Sequence, residues 1–150
     1  MKVALDTNIL VYAEGVNGQA RRDAALDLIG TLRRDLVVVP VQVLGEVFNV
    51  LCRKAGRSKP QARDAMQSWR DTFHTIETSA EVMQFAADLA SDHHFGIWDA
   101  VILSAASKAG CRLLLSEDMQ NGFTWGGVTI VDPFVHPRHK LLDAMAGRTP

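Results

Sequence analysis

Cysteine is scarce: Cys52 and Cys111 are the only two in 150 residues, with no CxxC pair. That excludes a disulfide framework and a cysteine-rich zinc site. Cys52 falls inside a helical pattern and Cys111 beside an apolar strand, so both are expected as reduced core residues. Long apolar runs are missing too. The chain reaches Asp6 before an apolar core of signal-peptide length forms, and no later run is long enough to cross a bilayer. A cytoplasmic protein without membrane contact is expected. There is no excess of charge of one sign: 16 basic residues face 17 acids, for a net charge of −1, which argues against a generic nucleic-acid binder. No histidine stands at zinc-finger spacing, and no GxGxxG follows the first apolar run, which disfavours dinucleotide binding. Internal repeats and low-complexity stretches are absent.

What is present suits one folded domain over residues 1–150, with a core from 1 to 133 and a C-terminal tail from 134 to 150. Hydrophobic residues make up 47% of the chain, enough to build a core without a disulfide or structural metal. Val3-Ala4-Leu5 reads as a short strand, and Ile9 to Tyr12 as a short helix. A helix is predicted from Gln19 to about Arg34, followed by an apolar strand from Leu36 that Pro40 ends. Further helices are predicted from about Val41 to Ala55, from Pro60 to about Asp71, and, after a weak strand at His74-Thr75-Ile76, from about Ala80 to Asp92. Thr78-Ser79-Ala80-Glu81 has the form of a capping box for the last of these. Trp98 to Ala109 reads as a helix closed by Gly110, with strands at Arg112 to Leu115 and Val128 to Val131. Strands alternating with helices predict a mostly parallel sheet covered on both faces, a three-layer α/β/α sandwich, with the functional site beyond the carboxyl ends of the strands.

Four acids stand out against this frame. Asp6 closes the first strand and Asp118 follows the Arg112 to Leu115 strand, so both are expected at one sheet edge. Glu46 lies between Val43 and Val50 on a largely apolar helix face, and Asp99 has Ile102 and Leu103 at the next turn. A carboxylate facing the interior costs several kcal/mol unless it is paired or binds a cation, as an order-of-magnitude figure. No arginine or lysine partner is evident for each. Oxygen-only donors suit Mg²⁺ or Mn²⁺ better than Zn²⁺. Each acid also has an ordinary reading: Asp6 as a turn former, Glu46 as a solvent-edge residue, Asp99 as a helix-start charge, Asp118 as a loop residue. With the four set aside, 13 acids remain against 16 bases, a balance compatible with RNA.

Taken together, Val3-Ala4-Leu5-Asp6-Thr7-Asn8-Ile9-Leu10, Val43-Leu44-Gly45-Glu46-Val47, Trp98-Asp99-Ala100 and Ser116-Glu117-Asp118-Met119-Gln120 resemble the PIN-domain family, and more narrowly the VapC-like toxin ribonucleases of type II toxin–antitoxin systems. The resemblance runs from Lys2 to about Pro133. It implies a PIN-like fold and an endoribonuclease in which Asp6, Glu46, Asp99 and Asp118 are catalytic and hold one or two Mg²⁺ or Mn²⁺ ions. Metal-activated water would hydrolyse RNA phosphodiester bonds. By the same resemblance Asn8 and Ser116 orient the acids, with Thr7 as a lesser helper. The family's partners would be an RNA substrate such as tRNA or rRNA, a VapB-like antitoxin, and a second copy of the chain in a homodimer. One departure is Asn121, where many relatives carry a further acid; it would weaken a second metal position.

Arg53, Lys54, Arg57, Lys59 and Arg63 form the densest basic segment, read either as an RNA contact or as a solvated helix end. Trp69 and Phe73 are expected in the core rather than as base-stacking residues, and Glu117 is expected to face solvent. Asp92 reads as a helix-end charge. The tail after His136 is either a short packing helix built on Leu141, Leu142, Ala144 and Met145 before Gly147, or a loose end. Two rival functions remain. One is a catalytically inert PIN-like domain that binds RNA or protein. The other is a HAD-type phosphatase, which would need a second aspartate where Asn8 stands.

Overall fold

The computed structural model describes residues 1–145; the end of the predicted tail, including Gly147, lies outside them. In chain order the elements are β1 (Lys2–Leu5), α1 (Thr7–Ala13), α2 (Gln19–Thr31), a 3-10 turn (Arg34–Leu36), β2 (Val37–Pro40), α3 (Val41–Arg53), α4 (Lys59–Thr72), β3 (His74–Ile76), α5 (Ala80–Asp92), α6 (Ile97–Lys108), β4 (Cys111–Leu115), β5 (Thr124–Trp125), β6 (Val128–Val131) and α7 (Lys140–Met145). The strands form one sheet in the order β3-β2-β1-β4-β6-β5. Every pairing is parallel except β5 with β6.

The interior strands explain the layering. Successive strand residues point to opposite faces, yet Val3, Ala4 and Leu5 of β1, Val37 to Val39 of β2 and Leu113 to Leu115 of β4 are all buried. Both faces are therefore covered, and continuous apolar runs are what such strands require. Helix α6 packs against β2, β4 and β6, and α3 against β2. Three layers result, as the alternation of strands and helices predicts.

Local chemistry marks the helix ends, though not always where the sequence suggests. The complete capping box belongs to α4: Ser58 accepts from the Gln61 N–H while the Gln61 side chain accepts from the Ser58 N–H. At α5 the cap is Ser79, which accepts from the Val82 N–H, so the expected Thr78/Glu81 box is shifted by one residue and half formed. The β5–β6 hairpin is an unpredicted element. Its turn is Gly126-Gly127, both at positive φ, and a Cβ on Gly126 would meet Ser107 Oγ at 2.5 Å. Two residues of strand are too few to produce a period in the sequence.

Cys111 is buried and Cys52 partly so, both unpaired. Burial pushes the Cys111 thiol up to about 11, leaving it protonated and unreactive at neutral pH. Leu142 of α7 is fully buried in the main core, so this part of the tail is anchored. No helix among the described residues is long and apolar enough to cross a membrane.

Candidate active site

The chain runs from β1 outward through β2 to β3, then returns across the sheet to continue at β4 beside β1. This reversal opens a crevice beyond the carboxyl ends of β1 and β4. Asp6 is the first residue after β1 and Ser116 the first after β4. The Asp6 N–H donates to the Leu115 carbonyl at 3.0 Å, which ties the two strand ends together. Ser116 Oγ then donates to Asp6 Oδ2 at 2.6 Å, and the Thr7 N–H donates to Asp6 Oδ1 at 2.7 Å. Asp6 thus caps α1 while its carboxylate is held at both oxygens.

Around this fixed point the fold gathers the other three acids. Glu46 arrives from α3, Asp99 from the first turn of α6, and Asp118 from the loop after β4; all four line one cavity of about 290 Å³ together with Thr7. Thr7 Oγ1 donates to Glu46 Oε2, and the Gln42 amide donates to Glu46 Oε1 at 3.4 Å. Ser116 Oγ also accepts from the N–H groups of Asp118 and Met119, both at 3.3 Å, so one hydroxyl links the Asp6 carboxylate to the Asp118 loop.

The acids are not equally buried, and here the expectation of four inward carboxylates needs correction. Only Asp6 is buried, at 5% exposure; Glu46 and Asp99 are half-buried, and Asp118 is exposed. The periodicity of apolar neighbours misjudged depth because the cavity opens the helix faces it lies on. Burial pushes the Asp6 carboxyl up to about 6; the Ser116 and Thr7 hydrogen bonds oppose this, and the charges of Asp99 and Glu46 add to it. Asp99 is raised by burial and then by the charges of Glu46 and Asp118. Among the described residues none of the four acids forms an ion pair.

The donor set is all oxygen, which suits a hard divalent cation. A buried carboxylate without a protein cation is what such an ion would satisfy. The placement is not yet a closed cage: among the described residues no three His, Cys, Asp or Glu side chains stand close enough to hold a metal ion.

The supporting residues sort differently from the resemblance. Ser116 and Thr7 both bond to an acid, whereas Asn8 is buried and neither of its amide atoms has a hydrogen-bond partner. Asn121 is occupied elsewhere, accepting from the Asp132 N–H at 2.9 Å. Glu117, expected to face solvent, instead accepts from the Tyr12 hydroxyl at 2.8 Å and pairs with Arg21. The sequence carried no signal for that contact, since its partners lie about a hundred residues away. Asp92 is exposed at the end of α5, and it does not line the acid cavity.

The basic segment divides as well. Arg53 lines the acid cavity, and Lys54 lines an adjoining one with Asn8 and Asp118. Arg57 is committed to Glu14, bonding to its carboxylate at 2.7 Å and its carbonyl at 2.8 Å. Arg63 pairs with Asp64, and Lys59 lies exposed at the start of α4. Trp69 stacks on Phe73 with ring centroids 6.0 Å apart, and both pack into the core. The exposed aromatic beside the site is Trp98, 54% exposed and adjacent to Asp99. A larger cavity of about 560 Å³ lies between α2 and the segment after β6, but it holds the Arg21–Glu117 pair rather than the unpaired acids.

Comparison with known proteins gives a match to the PIN domain model over residues 3–120. The fold is similar to a VapC toxin of Mycobacterium tuberculosis that cleaves the sarcin–ricin loop, with a TM-score of 0.65 and 20% identity over 78% of this chain and 90% of that one. It is similar to a chain of a toxin–antitoxin complex from Klebsiella pneumoniae, with a TM-score of 0.67 and 20% identity over 89% and 98%. It is also similar to a chain of the Rickettsia felis VapBC2 complex bound to promoter DNA, with a TM-score of 0.62 and 18% identity over 87% and 97%. No curated protein matches the chain in sequence.

Proposed function

The chain belongs to the PIN-domain family, and from that premise we propose that it is a Mg²⁺- or Mn²⁺-dependent endoribonuclease acting as the toxin of a toxin–antitoxin pair. The observation that carries this reading is the cavity at the sheet's reversal point, lined by Asp6, Glu46, Asp99 and Asp118, none of which forms an ion pair among the described residues. Burial, and after it the charge of the neighbouring carboxylates, raises Asp6 and Asp99, which disfavours the arrangement unless cations enter it.

In this reading the four acids hold the metal. A bound divalent ion would supply the positive charge that acidifies a water and offsets charge building on the phosphate. The chain's own work is positional. Ser116 and the Thr7 N–H fix the Asp6 carboxylate, Thr7 Oγ1 and Gln42 steer Glu46, and Ser116 restrains the Asp118 loop. Attack by water on phosphorus with loss of the 3′ oxygen leaves a 5′-phosphate and a 3′-hydroxyl. An antitoxin partner belongs to the same proposal, supported by the similarity to chains of toxin–antitoxin complexes, and so do a single domain over residues 1–150 and a homodimer.

The inert PIN-like alternative draws its support from the spread of the acid side chains. A HAD-type phosphatase is disfavoured because the second aspartate it needs is Asn8, whose amide is buried. The test is a calorimetric titration of Mn²⁺ into the wild type and Asp99→Asn, followed by bulk tRNA with and without EDTA. We expect metal binding and EDTA-sensitive cleavage in the wild type, with a loss of cleavage of at least about a hundredfold in the variant, the scale of losing one charge-stabilising group. A melting temperature no lower than the wild type's would establish that the variant remains folded. Metal binding without cleavage of any RNA would favour the inert reading, and no metal binding would overturn the proposal.

A further inference from the structure

Helix α3 presents Glu46, Asn49, Val50 and Arg53 at the i, i+3, i+4 and i+7 positions, which share one helical face. All four line the acid cavity. Glu46 and Arg53 are about 10 Å apart along the axis at 1.5 Å per residue. The stripe therefore runs from a carboxylate at the centre of the site to a guanidinium at its rim, with an exposed amide between them. Val50 is half-buried and packs against the core, while Asn49 and Arg53 face outward.

Among the described residues Arg53, Lys54 and Lys59 are the cations of this segment without an ion pair, and of the three Arg53 lines the acid cavity. Arg57 is bound by Glu14 and Arg63 by Asp64. Arg53 shares a cavity with four carboxylates, yet among the described residues it forms neither an ion pair nor a side-chain hydrogen bond. A guanidinium presents a planar fork of donors that matches a phosphate in two-point contact. An amide beside it adds a donor to the same anion.

Resting on the nuclease reading, we infer that Asn49 and Arg53 form a phosphate subsite. It grips the backbone linkage next to the one cut, and so draws a single strand along the outer face of α3. The ligand class is the phosphodiester backbone of a single-stranded nucleic acid. The contact is to phosphate and carries no base preference. Arg53 stands about two turns of helix from Glu46, so a substrate with a single phosphodiester linkage at the acids leaves the guanidinium end of the subsite empty.

The test measures binding apart from cleavage. A labelled short oligouridylate is titrated by fluorescence anisotropy in Mg²⁺ against the full chain carrying Asp99→Asn, so that bound RNA is not cut, over a range of salt. Adding Arg53→Ala is expected to weaken binding about tenfold at low salt, the scale of one charged hydrogen-bonding contact. It should also flatten the plot of log affinity against log salt by about 0.7, the value for one single-strand phosphate contact. Arg53→Lys should restore most of the slope, Asn49→Ala should weaken binding about threefold, and Lys59→Ala, outside the cavity, should change neither quantity. DNA of matching sequence should show the same loss as RNA.

An unchanged slope in Arg53→Ala would overturn the subsite, as would an equal effect from Lys59→Ala, which would describe a diffuse basic surface. A loss confined to RNA would overturn the phosphate assignment. The nuclease reading fails separately. An Arg53-dependent slope in a chain whose wild type cuts no RNA would keep the subsite and remove the enzyme. Intact EDTA-sensitive cleavage with no Arg53 effect on binding would do the reverse.

Discussion

Glu117 and Asp118 are adjacent in the chain and sit in opposite electrostatic surroundings. Glu117 is held by the Tyr12 hydroxyl and by Arg21, whose guanidinium lies 5.2 Å from the Tyr12 ring centroid and 5.9 Å from that of Phe134. One residue later, Asp118 joins three further carboxylates in a cavity where none has a cationic partner among the described residues. The first cluster is charge placed for the chain's own benefit. The second raises Asp6 and Asp99 by burial and by like charge, a cost that a cation from outside would offset. Uncompensated charge, rather than charge density, marks the candidate site. The basic segment repeats the lesson: Arg57 is satisfied internally by Glu14, while Arg53 has no ion pair among the described residues.

The comparison can be broken first at Asp6. Its carboxyl is raised to about 6 in the folded chain, against about 3.9 when unfolded. Below about pH 4 both states hold the proton and Asp6 contributes nothing to the pH dependence. Between about pH 4 and 6 the native state keeps a proton that the unfolded state has lost, so stability falls as pH rises. Above that window a constant penalty of on the order of 3 kcal/mol remains. Without added metal, Asp6→Asn should remove that penalty, raising stability at pH 7 and flattening the profile between pH 4 and 6. Urea denaturation in EDTA at several pH values would measure both. A variant less stable than the wild type at pH 7 would mean that Asp6 is structurally compensated, like Glu117.

Ser116→Ala sharpens the same contrast on a smaller scale. It removes a donor from the buried Asp6 carboxylate and an acceptor from the Asp118 and Met119 N–H groups. The expected loss is about 2 kcal/mol at pH 7 by the same denaturation measurement. No loss would mean that water replaces the hydroxyl and that the link between Asp6 and the Asp118 loop is weak.

The smallest effect is predicted for the satisfied cluster. Arg21 is 44% exposed in its side chain, and partly exposed pairs contribute little, so Arg21→Ala should cost less than about 1 kcal/mol. Cleavage of RNA by the variant should stay within a few-fold of the wild type. A tenfold or larger drop in rate would show that the Glu117 cluster holds Asp118 in position, and would dissolve the distinction between the two regions.

Much of this was legible from residue order. The apolar runs at Val3 to Leu5, Val37 to Val39 and Leu113 to Leu115 are buried on both faces, and a run that cannot expose either face requires a covered parallel sheet. The four acids were identifiable from their neighbours and from the resemblance to the PIN-domain family, and the fold brings them to one cavity. The two-residue β5 was not legible, because a hairpin that short has no period, and the glycine turn that makes it depends on close packing against Ser107. The depth of each acid was also hidden. Apolar spacing around Glu46 and Asp99 specifies a helix face, not how far a cavity cuts into it.

What the sequence determined by itself was therefore local and periodic: which segments alternate, which faces are apolar, and which acids lie at strand ends, because these follow from backbone geometry repeated along the chain. Tertiary structure alone decided which charges are satisfied. Ser116 reaches Asp6 across 110 residues and Arg21 reaches Glu117 across 96, and no local rule encodes such a pairing. The electrostatic energy of a carboxylate depends on what stands within a few ångströms and on how much water remains there. Both are settled only when distant segments close around it.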